Sequence, residues 1–157
     1  MPPEVAEDPA AGRTCGARGA MSVMEAAGTT VDVMYGSDGT VYPAKGVRGG
    51  GPGTRAEAWK RLANGEVIEA PAHAMVTLAA GEAIISKSCG GGGYGAPLER
   101  DAHRVLHDAL EGRISPERAT DPYGVEIVDG EIDEAATVQR RSSGVTCVSH
   151  GPSAAAD

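Results

Sequence analysis

Four consecutive glycines, Gly90, Gly91, Gly92 and Gly93, followed by Tyr94 and Gly95, form the stretch of this chain best suited to presenting backbone amides to a ligand. A run of N–H groups with no side chains in the way can form a nest for an anion. No Gly-Lys-Ser/Thr follows, so the run is not a P-loop. Its Gly-x-Gly-x-x-Gly spacing comes with any glycine run, and no helix starts at the right place after it. The residues themselves favour a closely packed crossing from sheet to helix. Residues 90–95 are therefore taken as an interface or binding loop. His103 and His107, spaced i, i+4 between Glu99 and Glu111, share a helix face and are the weak candidates for a metal. No third ligand is placed by the sequence, and the favoured reading is a solvated helix flank. His73 and His150 have no nucleophile at a motif spacing. Neither Gly-x-Ser-x-Gly nor His-Glu-x-x-His occurs. Glu131 and Asp133 read as a solvated edge and a helix cap. No catalytic residue is assigned.

The elements that hold these residues must be built from small side chains. The 157 residues contain no Phe, one Trp (Trp59) and 23 glycines, enough for one domain with a core of low apolar area per residue. The net charge of −8 with scattered basic residues argues against nucleic-acid binding. Cys15, Cys89 and Cys147 fit neither a disulfide framework nor a zinc spacing, and read as free thiols in a reducing cytoplasm. There is neither a long apolar run nor a signal-peptide pattern, so no membrane association is expected.

The patterning predicts an α+β fold: a β-rich body of short antiparallel strands, then a small C-terminal helical appendage. Residues 1–20 read as a disordered lead, 21–89 as the β-rich part, 90–141 as the glycine loop with the helices, and 142–157 as a disordered tail. Strands are expected over 21–26 (or a turn there), 29–35, 75–79 and 83–88. A return strand is expected at 40–42 after the Ser37-Asp38-Gly39 turn. Asn64-Gly65 predicts a hairpin joining 56–62 to 66–70. Residues 45–54 hold five glycines in ten and read as a loop. Asp101 caps a helix whose apolar stripe is Ala102, Val105, Leu106, Ala109 and Leu110, ended by Gly112. Ser115-Pro116-Glu117 starts a second short helix, 123–128 and 131–132 form strands about Asp129-Gly130, and Asp133 caps a last helix.

Three strings carry a family resemblance. Tyr-Pro-Ala-Lys-Gly-Val-Arg-Gly-Gly-Gly-Pro-Gly at 42–53 resembles a glycine-proline segment of the hydantoinase B/oxoprolinase family. Gly-Gly-Gly-Gly-Tyr-Gly-Ala-Pro-Leu-Glu-Arg-Asp at 90–101 resembles its most specific string, with Ala96 where that family usually has Asp or Asn. The order of Gly-Arg-Ile-Ser-Pro-Glu-Arg-Ala at 112–119, Tyr-Gly-Val at 123–125 and Ile-Asp-Glu-Ala-Ala-Thr at 132–137 is similar to its C-terminal end, although Pro122 stands where a helix would be expected to continue. The resemblance covers about 30–141. It implies a C-terminal module, or a small subunit, of an ATP-dependent hydrolase that opens cyclic amides such as hydantoins or 5-oxoproline. The acetone and acetophenone carboxylases form a further branch, and an accessory, non-catalytic interaction subunit is the alternative reading. Family members are several times longer than this chain. The resemblance therefore implies partnership with a hydantoinase A-like ATP-binding subunit and with the remainder of a hydantoinase B-like subunit. ATP and a divalent metal would belong to that complex and none to this chain, which is expected to be inactive alone.

Overall fold

Asn64 makes the turn that its sequence promises. Its Oδ1 accepts the Glu66 N–H at 2.9 Å, Gly65 takes a φ of +86°, and the Leu62 N–H reaches the Glu66 carbonyl. The hairpin so closed joins β3 (Glu57–Arg61) to β4 (Val67–Glu69), in register Trp59 opposite Glu69. A computed structural model describes residues 8–144 of the chain; Cys147 and His150 lie outside the described residues.

The other strands of the body are β1 (Met21–Glu25), β2 (Val31–Gly36), β5 (His73–Leu78) and β6 (Ala83–Lys87). One antiparallel sheet runs β1-β6-β3-β4, and β2 pairs with β5 as a separate ribbon. β6 is central in its sheet, and Ala83, Ile84 and Ile85 are all buried. A central strand covered on both faces has no need of alternation, which is why Ala-Ile-Ile reads as a continuous run. The ribbon alternates. Val33, Tyr35 and Val76 pack on the Ala26, Leu78 and Ile84 cluster, while Met34 and Met75, directly opposite each other, face outward.

After the glycine stretch come one 3₁₀ turn (Pro97–Glu99), α1 (Ala102–Leu110), α2 (Pro116–Thr120), the small hairpin β7 (Ile127–Val128) with β8 (Glu131–Ile132), and α3 (Glu134–Ser143). Each helix has the cap its sequence announces. Asp101 accepts from the Arg104 N–H at 3.0 Å, Ser115 from Arg118 at 3.3 Å and Asp133 from Ala136 at 2.9 Å. Val105, Ile114, Ala119, Tyr123 and Val125 form the second core. The architecture is α+β and β-rich, as expected.

Four expectations are corrected. Residues 8–20 are not a free lead: Pro9, Ala10 and Ala11 are buried, and Ala11 packs into the helical core. Residues 40–42 form no return strand, because β2 finds its partner in the distant β5; Val41 and Tyr42 are left exposed. Of the strand expected at 123–128, only Ile127–Val128 pairs, since Tyr123 and Val125 are taken into the core. The stripe of α1 is turned: Asp108 is buried and Leu110 is exposed, because Asp108 is drawn inward by Arg100.

Gly50 and Gly51 are neighbours with opposite tolerances. A Cβ on Gly50 would collide with the backbone carbonyl of Gly93, whereas one on Gly51 would meet nothing nearer than Ala11 at 3.6 Å. Gly50→Ala is expected to cost about 2–3 kcal/mol by overpacking, and Gly51→Ala to stay within about 0.5–1 kcal/mol of the parent. Urea melts of the two variants check this; equal losses would show that the backbones are not packed as described.

Candidate functional site

Most amides of the glycine stretch are already engaged. The Gly90 N–H donates to the Thr54 carbonyl (3.2 Å) and the Gly93 N–H to Gly51 (2.9 Å), while Gly91 donates to Ala17 and Tyr94 to Thr14, both at 2.9 Å. Partners on the same neighbouring segment thus recur every third residue. Three residues per turn, with all hydrogen bonds going to neighbours, is the geometry of polyproline-type helices, in which glycine fits a crowded axis. Residues 90–95 are the middle member of a bundle flanked by residues 10–20 and 44–54. Gly16 lies against Gly91, Gly53 against Gly90, Gly92 against Lys45, and Gly93 against Ala11, in each case backbone to backbone. With the amides of Gly90, Gly91, Gly93, Tyr94 and Gly95 already donating to neighbouring carbonyls, little of an anion nest is left, and the packing is that of a close crossing.

Tyr94 is where the bundle presents a side chain. Its backbone bridges Thr14 on one side and Val47 on the other, and the residue remains 38% exposed. The residues next to those two anchors are Arg13 and Arg48, and their guanidinium carbons lie 5.9 Å and 5.6 Å from the ring centroid. Both are cation–π distances. Arg48 holds a φ of +52° in a turn with Gly49 at +88°, closed by the Gly50 N–H on the Val47 carbonyl. Sequence reasoning singles out Tyr94 but misses both arginines. Gly12, Gly16 and Gly19 in the lead, spaced like the glycines of 46–53, are the signal that could have exposed them.

Behind Tyr94 lies a buried polar cluster. Arg100 donates to Asp108 at 2.5 Å and to the Arg13 carbonyl at 3.0 Å, and both side chains of the ion pair are 10% exposed. Burial works against the Arg100 charge, yet the Asp108 hydrogen bond holds its pKa above the ordinary arginine value. Arg141 donates to the carbonyls of Tyr123 and Arg100, tying α3 to the same point. Arg118 donates to the Pro9 carbonyl and Ser115 N–H to Asp8, fixing the lead to α2. Tyr123 is fully buried, with no partner for its hydroxyl; burial first, then the neighbouring Cys15, push its pKa up to about 12.

His103 and His107 stand exposed on α1, and among the described residues no three His, Cys, Asp or Glu converge. The donors present do not fit a metal. A shallow cleft of about 400 Å³ between the β7–β8 hairpin and α3 is lined by Glu126, Val128, Asp133 and Arg140, with no residue of the glycine stretch in it. Cys15 and Cys89 are free thiols. Among the described residues no helix is long and apolar enough to cross a membrane.

This arrangement defines a β-rich body joined to a helical cap through packed glycine backbones, with no assembled catalytic cleft among the described residues. The sequence model of the hydantoinase B/oxoprolinase family matches residues 5–97, more than half of the chain, and the chain belongs to that family. It is 39% identical over 85 residues to the beta subunit of the caprolactamase of Pseudomonas jessenii, covering 53% of this chain and 14% of that one. It is 52% identical over 52 residues to a protein of Pseudomonas sp. (strain NS671) assigned as the B subunit of a D-/L-hydantoinase, covering 32% of this chain and 9% of that one. The crystal structure of the ATP-dependent caprolactamase from Pseudomonas jessenii superposes with a TM-score of 0.58 at 27% identity, over 84% of this chain and 24% of that chain. A nucleotide-free acetone carboxylase gives 0.61 at 17% identity, over 88% and 23%, a likeness of fold alone. The chain thus spans less than a quarter of the relatives it matches.

Two outcomes follow from the buried cluster. Asp108→Ala leaves Arg100 charged and unpaired inside, and should cost about 3 kcal/mol or more in a denaturant melt; a loss below about 1 kcal/mol would mean the pair is effectively solvated. Tyr123 has a folded pKa above its unfolded value, so above about pH 10 the unfolded chain loses that proton first and the fold loses stability as pH rises toward 12. Tyr123→Phe should remove that part of the alkaline loss. Identical pH profiles for parent and variant would contradict the assignment.

Proposed function

We propose that this chain is a structural module of the B-type subunit of an ATP-dependent cyclic-amide hydrolase, and that it is inactive alone. The observation that carries this is the imbalance of the β body. Its strands turn six large apolar side chains outward (Val23, Met24, Val31, Met34, Ile68 and Met75) against three that are buried (Leu78, Ile84 and Ile85). A body of this size gains too little from so small a core to leave that much apolar surface in water without a covering partner. The relatives support a partner of this kind, being named as subunits of amide-opening enzymes several times longer than this chain. The remainder of a hydantoinase B-like subunit would cover the apolar faces, and a hydantoinase A-like subunit would bring ATP. A divalent metal, where the assembly uses one, would be held outside the residues described here. The ring opened would be of the hydantoin, 5-oxoproline or lactam type. The amide-hydrolase reading is preferred to the ketone-carboxylase branch because the likeness to the carboxylase is confined to fold.

The purified chain is expected to bind an apolar dye, to melt broadly and to show no ATP-dependent opening of caprolactam or a hydantoin. Robust turnover would overturn the reading. A sharp two-state melt without dye binding would point instead to a free-standing accessory protein, and co-purification of a large subunit lacking this segment would identify it as one.

A further inference from the structure

Nine of the 14 lysines and arginines have a carboxylate or a carbonyl as partner, but Arg13 and Arg48 have only the Tyr94 ring between them. Among the described residues, neither guanidinium has a carboxylate within ion-pair reach or an acceptor within hydrogen-bond reach. Lys45, Arg55 and Arg104 likewise have no such partner, but of these five Arg13 and Arg48 share one aromatic ring, in a chain of net charge −8 where acidic groups outnumber basic ones. The placement is built rather than incidental. The Arg13 N–H bonds the Gly95 carbonyl, the Thr14 and Tyr94 backbones exchange two bonds of 2.9 Å, and the Val47 N–H bonds the Gly93 carbonyl. Gly95, at a φ of +76°, lets the Arg13 Cβ approach closely; a Cβ there would meet it at 3.0 Å. Arg48 keeps a left-handed backbone that glycine would adopt at no cost, as its neighbour Gly49 does. A non-glycine residue in that conformation is costly to stability, and the guanidinium beside Tyr94 is what the position retains in exchange.

We propose that Arg13, Arg48 and the Tyr94 hydroxyl form a binding site for an oxyanion, a carboxylate or a phosphate group. Two guanidinium groups supply planar N–H pairs matched to such an anion. The phenol adds a third donor at the ring's outer end. The ring, with its centroid within 6 Å of both guanidinium carbons, holds each of them by a cation–π contact without neutralising it. The aromatic–arginine composition is also the one most enriched where binding energy concentrates on protein surfaces.

The test follows the arginine side-chain N–H signals by NMR in the full chain, titrated separately with inorganic phosphate and with acetate at constant ionic strength set by chloride. Saturable shifts confined to Arg13 and Arg48, at roughly millimolar affinity as befits an exposed site, support the proposal. Saturation by phosphate alone assigns a phosphoryl group, and comparable saturation by acetate assigns a carboxylate. Arg13→Gln is expected to weaken binding about tenfold by loss of one charge-assisted partner. Arg48→Gly is the decisive variant, because it should fold at least as stably as the parent while losing the anion. No saturation, equal shifts with chloride alone, or undiminished binding by a stably folded Arg48→Gly chain would overturn the proposal.

Discussion

Everything in this fold depends on three backbone segments lying against one another with no side chains between them. The bundle is the sheet continued by other means. β1 leaves the lead, β6 enters the glycine stretch and β3 leaves the 44–54 segment, so the order β1-β6-β3 in the sheet becomes lead, glycine stretch and loop in the bundle. The change of geometry falls at Ser88, whose N–H bonds the Ala20 carbonyl next to the Met21–Lys87 pair. A strand alternates its side chains about two faces, whereas a three-residue helix needs all of its sides clear where it is surrounded. Glycine meets that requirement, at the highest entropic cost of any residue. The bundle is continuous with the sheet that aligns it, and its hydrogen bonds carry the pairing of β1, β6 and β3 past the sheet's end.

The same economy of side chains explains the two cores. With no phenylalanine to fill space, the body relies on Leu78, Ile84 and Ile85, and the helical part on Tyr123, Val105 and Val125. Polar ties then carry an unusual share of the work at the junction. Arg100 reaches back to the lead and across to α1, and Arg141 and Arg118 fasten α3 and α2 to neighbouring carbonyls. Enclosed arginines tied to carboxylate and backbone oxygens fix geometry more than they add stability. They hold the lead in place, and with it the side of the bundle that Tyr94 depends on.

Local chemistry is legible in the sequence; the long-range contacts are not. Asn64-Gly65, Asp101, Ser115-Pro116 and Asp133 each specify a turn or cap through atoms within four residues, and each forms as its residues specify. The partner of β2 is hidden because an Asp38-Gly39 turn suggests a hairpin, while the true partner, β5, is chosen by which register buries Val33, Tyr35 and Val76 together. The lead is hidden because its alanines, glycines and prolines show no period of 3.6 or 2. A period-three bundle has no apolar stripe, and its signature is glycine wherever another backbone crosses. Asp108 is expected outside because a carboxylate in an amphipathic helix normally faces water; only its pairing with Arg100 brings it in.

This construction also determines where recognition can occur. In the bundle, the central amides are spent on neighbouring carbonyls, so backbone groups have little left to offer a ligand. Whatever engages this end of the molecule must do so largely through side chains; Tyr94 and Arg13 are held there by hydrogen bonds of their own backbones, and Arg48 by those of the adjacent Val47. The β body differs: its outward faces carry Met34, Met75, Val23 and Met24, with the Asp32–Thr77 hydrogen bond beside the two methionines of the ribbon. Exposed apolar side chains supply area and little orientation, whereas an aromatic between two cations supplies orientation and little area. Docking draws on both, and this fold places them on different parts of one chain, joined by the packed glycine backbones.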